Sequence, residues 1–136
     1  MYTDIRWQQR FQNFEKAYVV YKRRIKEYRK DKDNEAFQMA LIQAFEIIME
    51  LGWKTLKDYL TFEGVVVNSP KQVIRQAYQF NIIKNGEIWM SALEKRNLTT
   101  HTYDENTYYK ILTFIDEKFT PVIEGFYKKF KQELEK

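Results

Sequence analysis

Apolar and aromatic residues recur at Trp7, Phe11, Phe14, Tyr18, Tyr21, Ile25 and Tyr28, at spacings of four and three. That is the period of one face of an α-helix, and it predicts a helix of about seven turns. The polar run DKDN, residues 31–34, breaks the stripe, and Asn34 is placed to cap the next helix. A second stripe, Phe37, Leu41, Ala44, Ile48, Leu51 and Tyr59, predicts that helix and its end near Leu60. Two long helices joined by so short a connection pack antiparallel. Trp53 stands off the second stripe, so either the core or a partner chain can cover it.

FEGVVVNSP, residues 62–70, holds one short β-prone run with no second strand to pair it, and predicts a connector rather than a sheet. Ser69, Pro70 and Gln72 then give an N-cap, a proline at the first helical position and a capping-box partner. A third helix follows from Pro70 to about Ile82. Asn85-Gly86 marks a turn, and a fourth helix runs from Glu87 to about Asn97, burying Ile88, Trp89, Ala92 and Leu93. The last stripe, Tyr108, Leu112, Ile115, Phe119, Val122, Phe126 and Phe130, again steps by four and three, with Pro121 expected to kink it. The pattern predicts an all-α, up-and-down four-helix-type bundle with an additional short helix, three helices long and two short. No repeat, low-complexity tract or linker divides it, so residues 1–136 form a single domain.

Composition supports this class. Apolar residues are 44% and aromatic residues 17% of 136, enough for one core, while four glycines and two prolines are too few for a turn-rich β fold. With no cysteine there is no disulfide framework and no thiolate metal site. The opening MYTDIRWQQRFQ has no apolar leader core, and no run reaches the roughly 18 apolar residues of a membrane span. A cytoplasmic protein that makes no use of a membrane is expected.

The net charge of +4 is unevenly spread. Residues 1–32 hold ten Lys/Arg against four Asp/Glu, and the remainder thirteen against fifteen, so +6 is set against −2. Most of the excess lies in YKRRIKEYRK, residues 21–30. Two readings stay open: a solvated helix face whose cations suit the helix C-terminus, or a surface that attracts nucleic acid.

The chemistry concentrates in RNLTTHTYDE, residues 96–105, which holds the chain's one histidine. Thr102 and Glu105 have capping-box spacing, which places His101 and Tyr103 at the start of the last helix and Arg96 at the end of the one before. Free backbone N–H groups and the helix dipole there favour an anion, and Arg96 can fork onto phosphate oxygens. His101 exchanges protons near neutral pH. These are the parts needed for RNA cleavage by the ribose 2′-hydroxyl without a metal. The bland alternative is that Arg96 pairs with a nearby acid and His101 satisfies a buried carbonyl. A metal site is disfavoured, because one histidine without cysteine leaves only carboxylates as further ligands.

R-x-x-x-x-H-x-Y, read as Arg96, His101 and Tyr103, resembles the signature of HEPN domains, in particular the HepT branch paired with minimal nucleotidyltransferases and also known as nucleotidyltransferase substrate-binding proteins. The similarity extends to FEGVVVNSPKQVIRQAY and GEIWMSALEKRNLTTHTYDE, so it is close over the second half and only a helical pattern over the first.

The resemblance implies a helical bundle that dimerises about a two-fold axis, with the motifs of both chains in one cleft. For toxin members it implies metal-independent endoribonuclease activity, with Arg96 and His101 as the catalytic pair and Asn97 in support. It implies that a cognate minimal nucleotidyltransferase antitoxin neutralises the toxin by moving AMP onto Tyr103. ATP and magnesium then belong to that enzyme, and this chain needs no cofactor. One histidine per chain fits a dimer, since acid and base together need two. An AMP on Tyr103 would set a bulky anion where the RNA phosphate must sit. The competing expectation is a non-catalytic subunit that docks the nucleotidyltransferase and binds nucleotide; a purely structural helical dimer is the third.

Overall fold

The computed structural model describes residues 5–136; Met1 to Asp4, the first part of the stretch read for a leader, lie outside it. Helix α1 (Arg6–Lys30) turns back at residues 31–34 into α2 (Glu35–Phe62). Two shorter helices follow, α3 (Pro70–Gln79) and α4 (Gly86–Asn97). A 3-10 turn (Thr99–His101) leads to α5 (Glu105–Phe114), which continues through one π-helical turn (Ile115–Phe119) into α6 (Thr120–Leu134). Three long rods and two short helices are thus present, as the periodicity predicts, and no strand forms among the described residues.

Each stripe packs into the core where the period places it, with Tyr18, Leu51, Tyr59, Tyr108 and Val122 only partly buried. Trp7, Phe11, Phe14, Tyr21, Ile25 and Tyr28 from α1 meet Leu41, Phe45, Ile48, Met49 and Leu56 from α2. The last rod adds Ile111, Leu112, Ile115, Phe119, Ile123, Phe126 and Phe130. Trp7 at the start of α1 packs edge-on against Tyr59 near the end of α2, at 5.2 Å, and Arg10 pairs with Asp58 at 3.0 Å, which fixes α1 and α2 antiparallel. The same argument orients the last rod against α1: Arg29 bonds Asp116, Tyr21 bonds Thr120, and Tyr127 bonds Glu15. Edge-to-face and offset ring pairs of this kind are each worth about 0.5–1.5 kcal/mol beyond the area they bury.

The helix ends follow from local chemistry. Asn34 accepts the Phe37 N–H at 3.1 Å and Ser69 accepts that of Gln72 at 3.2 Å, the two caps expected. The second helix runs two residues beyond Leu60 and stops where Gly64 takes a φ of +86° and the Val65 N–H reaches back to the Leu60 carbonyl. The third stops at Gln79, short of Ile82, by the same device. Asn81 adopts a φ of 59° and the Ile82 N–H bonds the Ala77 carbonyl. Such left-handed closures satisfy the last carbonyls of a helix.

The expected disturbance near Pro121 takes the form of the π turn. Proline has no N–H to give the preceding turn; just before it, the Ile115 carbonyl accepts both the Thr120 backbone N–H, in the π register, and the Thr120 hydroxyl at 2.7 Å. That hydroxyl accepts from the buried Tyr21 phenol at 2.6 Å, whose own proton burial holds well above the ordinary tyrosine range. Trp53 is half-buried against the core, and its indole N–H donates to Glu50 at 3.2 Å. No helix among the described residues is long and apolar enough to cross a membrane.

Candidate functional site

The corner at residues 96–105 is built on α2. Arg96, in the last turn of α4, forms an ion pair through Nη2 with Glu50 Oε2. Lys54 holds the other oxygen of the same carboxylate at 3.0 Å, and the Trp53 indole adds its N–H. One turn earlier on α2, Glu46 accepts the Thr99 hydroxyl at 3.0 Å, while that hydroxyl also reaches the Arg96 carbonyl at 2.7 Å. Thus α2 grips the corner at two carboxylates spaced one helical turn apart. Burial tends to raise the Glu50 carboxyl, but the bonds from Lys54 and Trp53 and the Arg96 charge outweigh it and hold its pKa below the usual range.

Three of the four candidate residues face solvent. Asn97 and His101 are exposed, and Tyr103 is 83% exposed. His101 Nδ1 lies 3.1 Å from the Tyr103 hydroxyl, and the rings meet edge-on at 5.8 Å. The histidine therefore satisfies no buried carbonyl. Arg96, half-buried, does take the acid partner that the bland alternative requires, and it shares that carboxylate with Lys54. A guanidinium has five N–H donors, and Glu50 is bound on one edge only. That edge fixes its direction.

One expectation is corrected. The cap of α5 is Asp104 rather than Thr102: its Oδ2 accepts both the N–H and the hydroxyl of Thr107, at 3.2 and 2.6 Å. The chain from Leu98 to Asp104 closes on itself first, with His101 N–H bonding the Leu98 carbonyl and Asp104 N–H bonding that of His101. His101 and Tyr103 accordingly lie in the turn before α5. One of the free N–H groups expected to attract an anion there, that of Thr107, is met by the Asp104 carboxylate, whose pKa the Thr107 bonds lower. Attraction for an anion at this corner rests on Arg96 and Lys54.

Sequence patterning missed the anchors on α2. Glu46, Glu50 and Lys54 recur every four residues on one face, a spacing that signals a row of interacting charges. The basic run of α1 divides in two. Lys22 pairs with Glu124, Arg24 with Glu27, and Arg29 and Lys32 with Asp116. Arg23, Lys26 and Lys30 stand exposed. Of the six cations in residues 21–30 three are ion-paired, two of them to the last rod and one within α1.

Comparison with known proteins gives the family. Residues 9–132 match a family model described as "Nucleotidyltransferase substrate binding protein like". The chain belongs to that family, the HepT-like HEPN proteins. A curated family relative from Haemophilus influenzae, named "Probable ribonuclease HepT", is 30% identical over 81 residues, 56% of each chain. The chain thus spans about half the length of that relative. A crystal structure of a protein from Thermus thermophilus superposes with a TM-score of 0.66 at 24% identity, covering 85% of this chain and 99% of that one. At that identity the likeness establishes the HEPN-like bundle and nothing further.

Proposed function

We propose that the chain is the toxin of a HEPN and nucleotidyltransferase pair, a homodimeric, metal-independent endoribonuclease. The observation that carries this reading is one corner in which a solvent-facing His101 stands a 3-10 turn away from an arginine whose guanidinium is aimed by Glu50. A histidine kept for structure is more often enclosed and bonded to backbone; this one is free to meet a ligand.

In the reaction proposed, the ribose 2′-oxygen attacks the adjacent phosphorus and the bond from phosphorus to the 5′-oxygen breaks. A base takes the 2′ proton and an acid returns one to the departing 5′-oxygen, leaving a cyclic phosphate and a free hydroxyl. Arg96 holds the phosphate oxygens while charge builds on them. His101 of one copy acts as base and that of the second copy as acid, so a two-fold dimer completes the set. Asn97, beside Arg96, supports the phosphate. Tyr103, bonded to His101, is the residue on which the nucleotidyltransferase places AMP.

The test is cleavage of structured and single-stranded RNA by the purified chain with EDTA present, beside His101→Ala. Cleavage that survives the chelator and falls by about 10² or more in the variant supports the reading, that being the usual scale of one acid–base group. An inert parent that still binds the nucleotidyltransferase and nucleotide supports the docking subunit instead.

A further inference from the structure

A groove of about 450 Å³ runs along α5 and its π turn and is closed on one side by the end of α4. Both of its lips begin at the candidate corner. Lys95 directly precedes Arg96 on α4, and Asn106 stands in the first turn of α5, three residues after Tyr103. From Asn106 the lining steps by three and four along one helical face to Lys118. Twelve residues at 1.5 Å each make it about 18 Å long.

Two kinds of side chain meet there. Tyr109 is 49% exposed, so its ring offers a face to solvent. The half-buried Tyr108 braces that ring edge-on at 5.3 Å and is itself tied to α2, its hydroxyl donating to the buried Gln38 at 2.9 Å. Around the ring stand Lys95, Lys110 and Lys118, none of them in an ion pair among the described residues. Lys95 is steadied over the Phe114 ring at 5.1 Å, which leaves its charge uncancelled. Of the carboxylates nearby, Glu117 alone lines the groove. Asp104, beside Lys110, is engaged by Thr107, and Asp116 is held by Arg29 and Lys32.

We infer that this groove binds the unpaired RNA flanking the cleaved bond, with a base stacked on Tyr109 and backbone phosphates on Lys95, Lys110 and Lys118. The inference rests on the proposed ribonuclease reading for its ligand and gives that site a substrate class, single-stranded RNA. Every base has a flat π face, so an exposed ring amid cations holds single strands with little regard for sequence. A duplex keeps its bases stacked on one another and has none to give the tyrosine. An acidic protein surface would be drawn by the lysines but has no need of an exposed ring.

The experiment is fluorescence anisotropy of a labelled single-stranded RNA, and of the same RNA in a duplex, with the full chain carrying His101→Ala to leave the RNA uncut. The single strand is expected to bind more tightly than the duplex. Adding Tyr109→Leu should weaken the single strand about tenfold, the scale of one lost base stack, whereas Tyr109→Phe keeps the ring and the affinity. Lys110→Gln and Lys118→Gln should each reduce the slope of log affinity against log salt by about 0.7. With His101 intact, Tyr109→Leu should raise KM for a long RNA and leave cleavage of a dinucleotide, which fills the corner alone, unchanged. RNA that binds at Tyr109 but is never cut by the parent would end the ribonuclease reading and keep the groove. Binding and cleavage untouched by Tyr109→Leu, or a duplex bound as tightly as the single strand, would overturn the groove and leave the ribonuclease reading standing. Tyr109→Leu that loses the nucleotidyltransferase but binds RNA like the parent would also overturn it, making the groove a protein docking surface.

Discussion

Arg96 and Glu50 form an ion pair that joins the last turn of α4 to the middle of α2. Because Glu50 also bonds Lys54 and Trp53, it is the hub on which the direction of Arg96 depends. Glu50→Gln keeps the shape and removes the charge. Both partners are about a third exposed, so the expected cost is modest, about 0.5–1 kcal/mol near pH 7. The folded-state pKa of Glu50 lies below its unfolded value, so its contribution is present above the unfolded value near pH 4.3 and is lost as pH falls through the folded one. Urea denaturation of parent and variant should show a gap that is constant from pH 8 to about 5 and closes below about 4. A gap that persists into acid would mean that packing, not charge, sets it.

A second expectation concerns the π turn. Thr120 donates to the Ile115 carbonyl and accepts from Tyr21, all of them buried. Thr120→Val preserves volume but leaves the buried Tyr21 phenol without its acceptor, while the Ile115 carbonyl keeps the residue-120 backbone N–H, at a cost of about 1–3 kcal/mol. Tyr21→Phe removes the donor alone and should cost less, because Thr120 keeps its bond to Ile115. Thermal melts that rank the two the other way would show that the tyrosine, rather than the threonine, holds the turn.

The sequence made the rods legible because a single-core bundle repeats one signal, an apolar residue every three or four positions, along its whole length. Ser69 and Asn34 were equally readable, since cap chemistry is local. What escaped was nonlocal or competitive. The anchoring of Arg96 by Glu50 joins residues 46 apart, and no local pattern couples them. Thr102 and Asp104 both fit as caps of the last helix, and the choice fell to Asp104 because the 3-10 turn from Leu98 carries the chain two residues further before α5 starts. Likewise Asn81 ended α3 early by taking a left-handed conformation, which periodicity alone does not reveal.

Assembly provides a third expectation. Leu98 is 41% exposed and Ile47 49% exposed, and the bonds from Thr99 to Glu46 and from Arg96 to Glu50 bring their segments side by side. Apolar side chains on the same face as the candidate site suit a surface covered by a second copy. The parent should sediment as a dimer at micromolar concentration. Ile47→Asp should yield a folded monomer, because the side chain is outside the core, and should lose RNA cleavage together with dimerisation. A monomeric variant that still cleaves would remove the need for two histidines in one cleft.

Control of the proposed activity turns on Tyr103, whose hydroxyl bonds His101 and whose ring is 83% exposed. A side chain so open is accessible to a partner enzyme, and AMP there would carry a phosphate to within reach of the histidine meant for RNA. Tyr103→Phe deletes only the hydroxyl, so the core is untouched and the melting temperature should stay within about a degree, as surface changes away from special features fall within about 0.5 kcal/mol. With the cognate nucleotidyltransferase, ATP and magnesium, the parent should gain one or more AMP masses and lose RNA cleavage. Tyr103→Phe should gain none at this position and keep cleaving, and in cells it should escape neutralisation by that enzyme. Equal AMP addition to both proteins would place the modification on another residue. AMP addition to the parent without loss of cleavage would leave Tyr103 modified but not the switch.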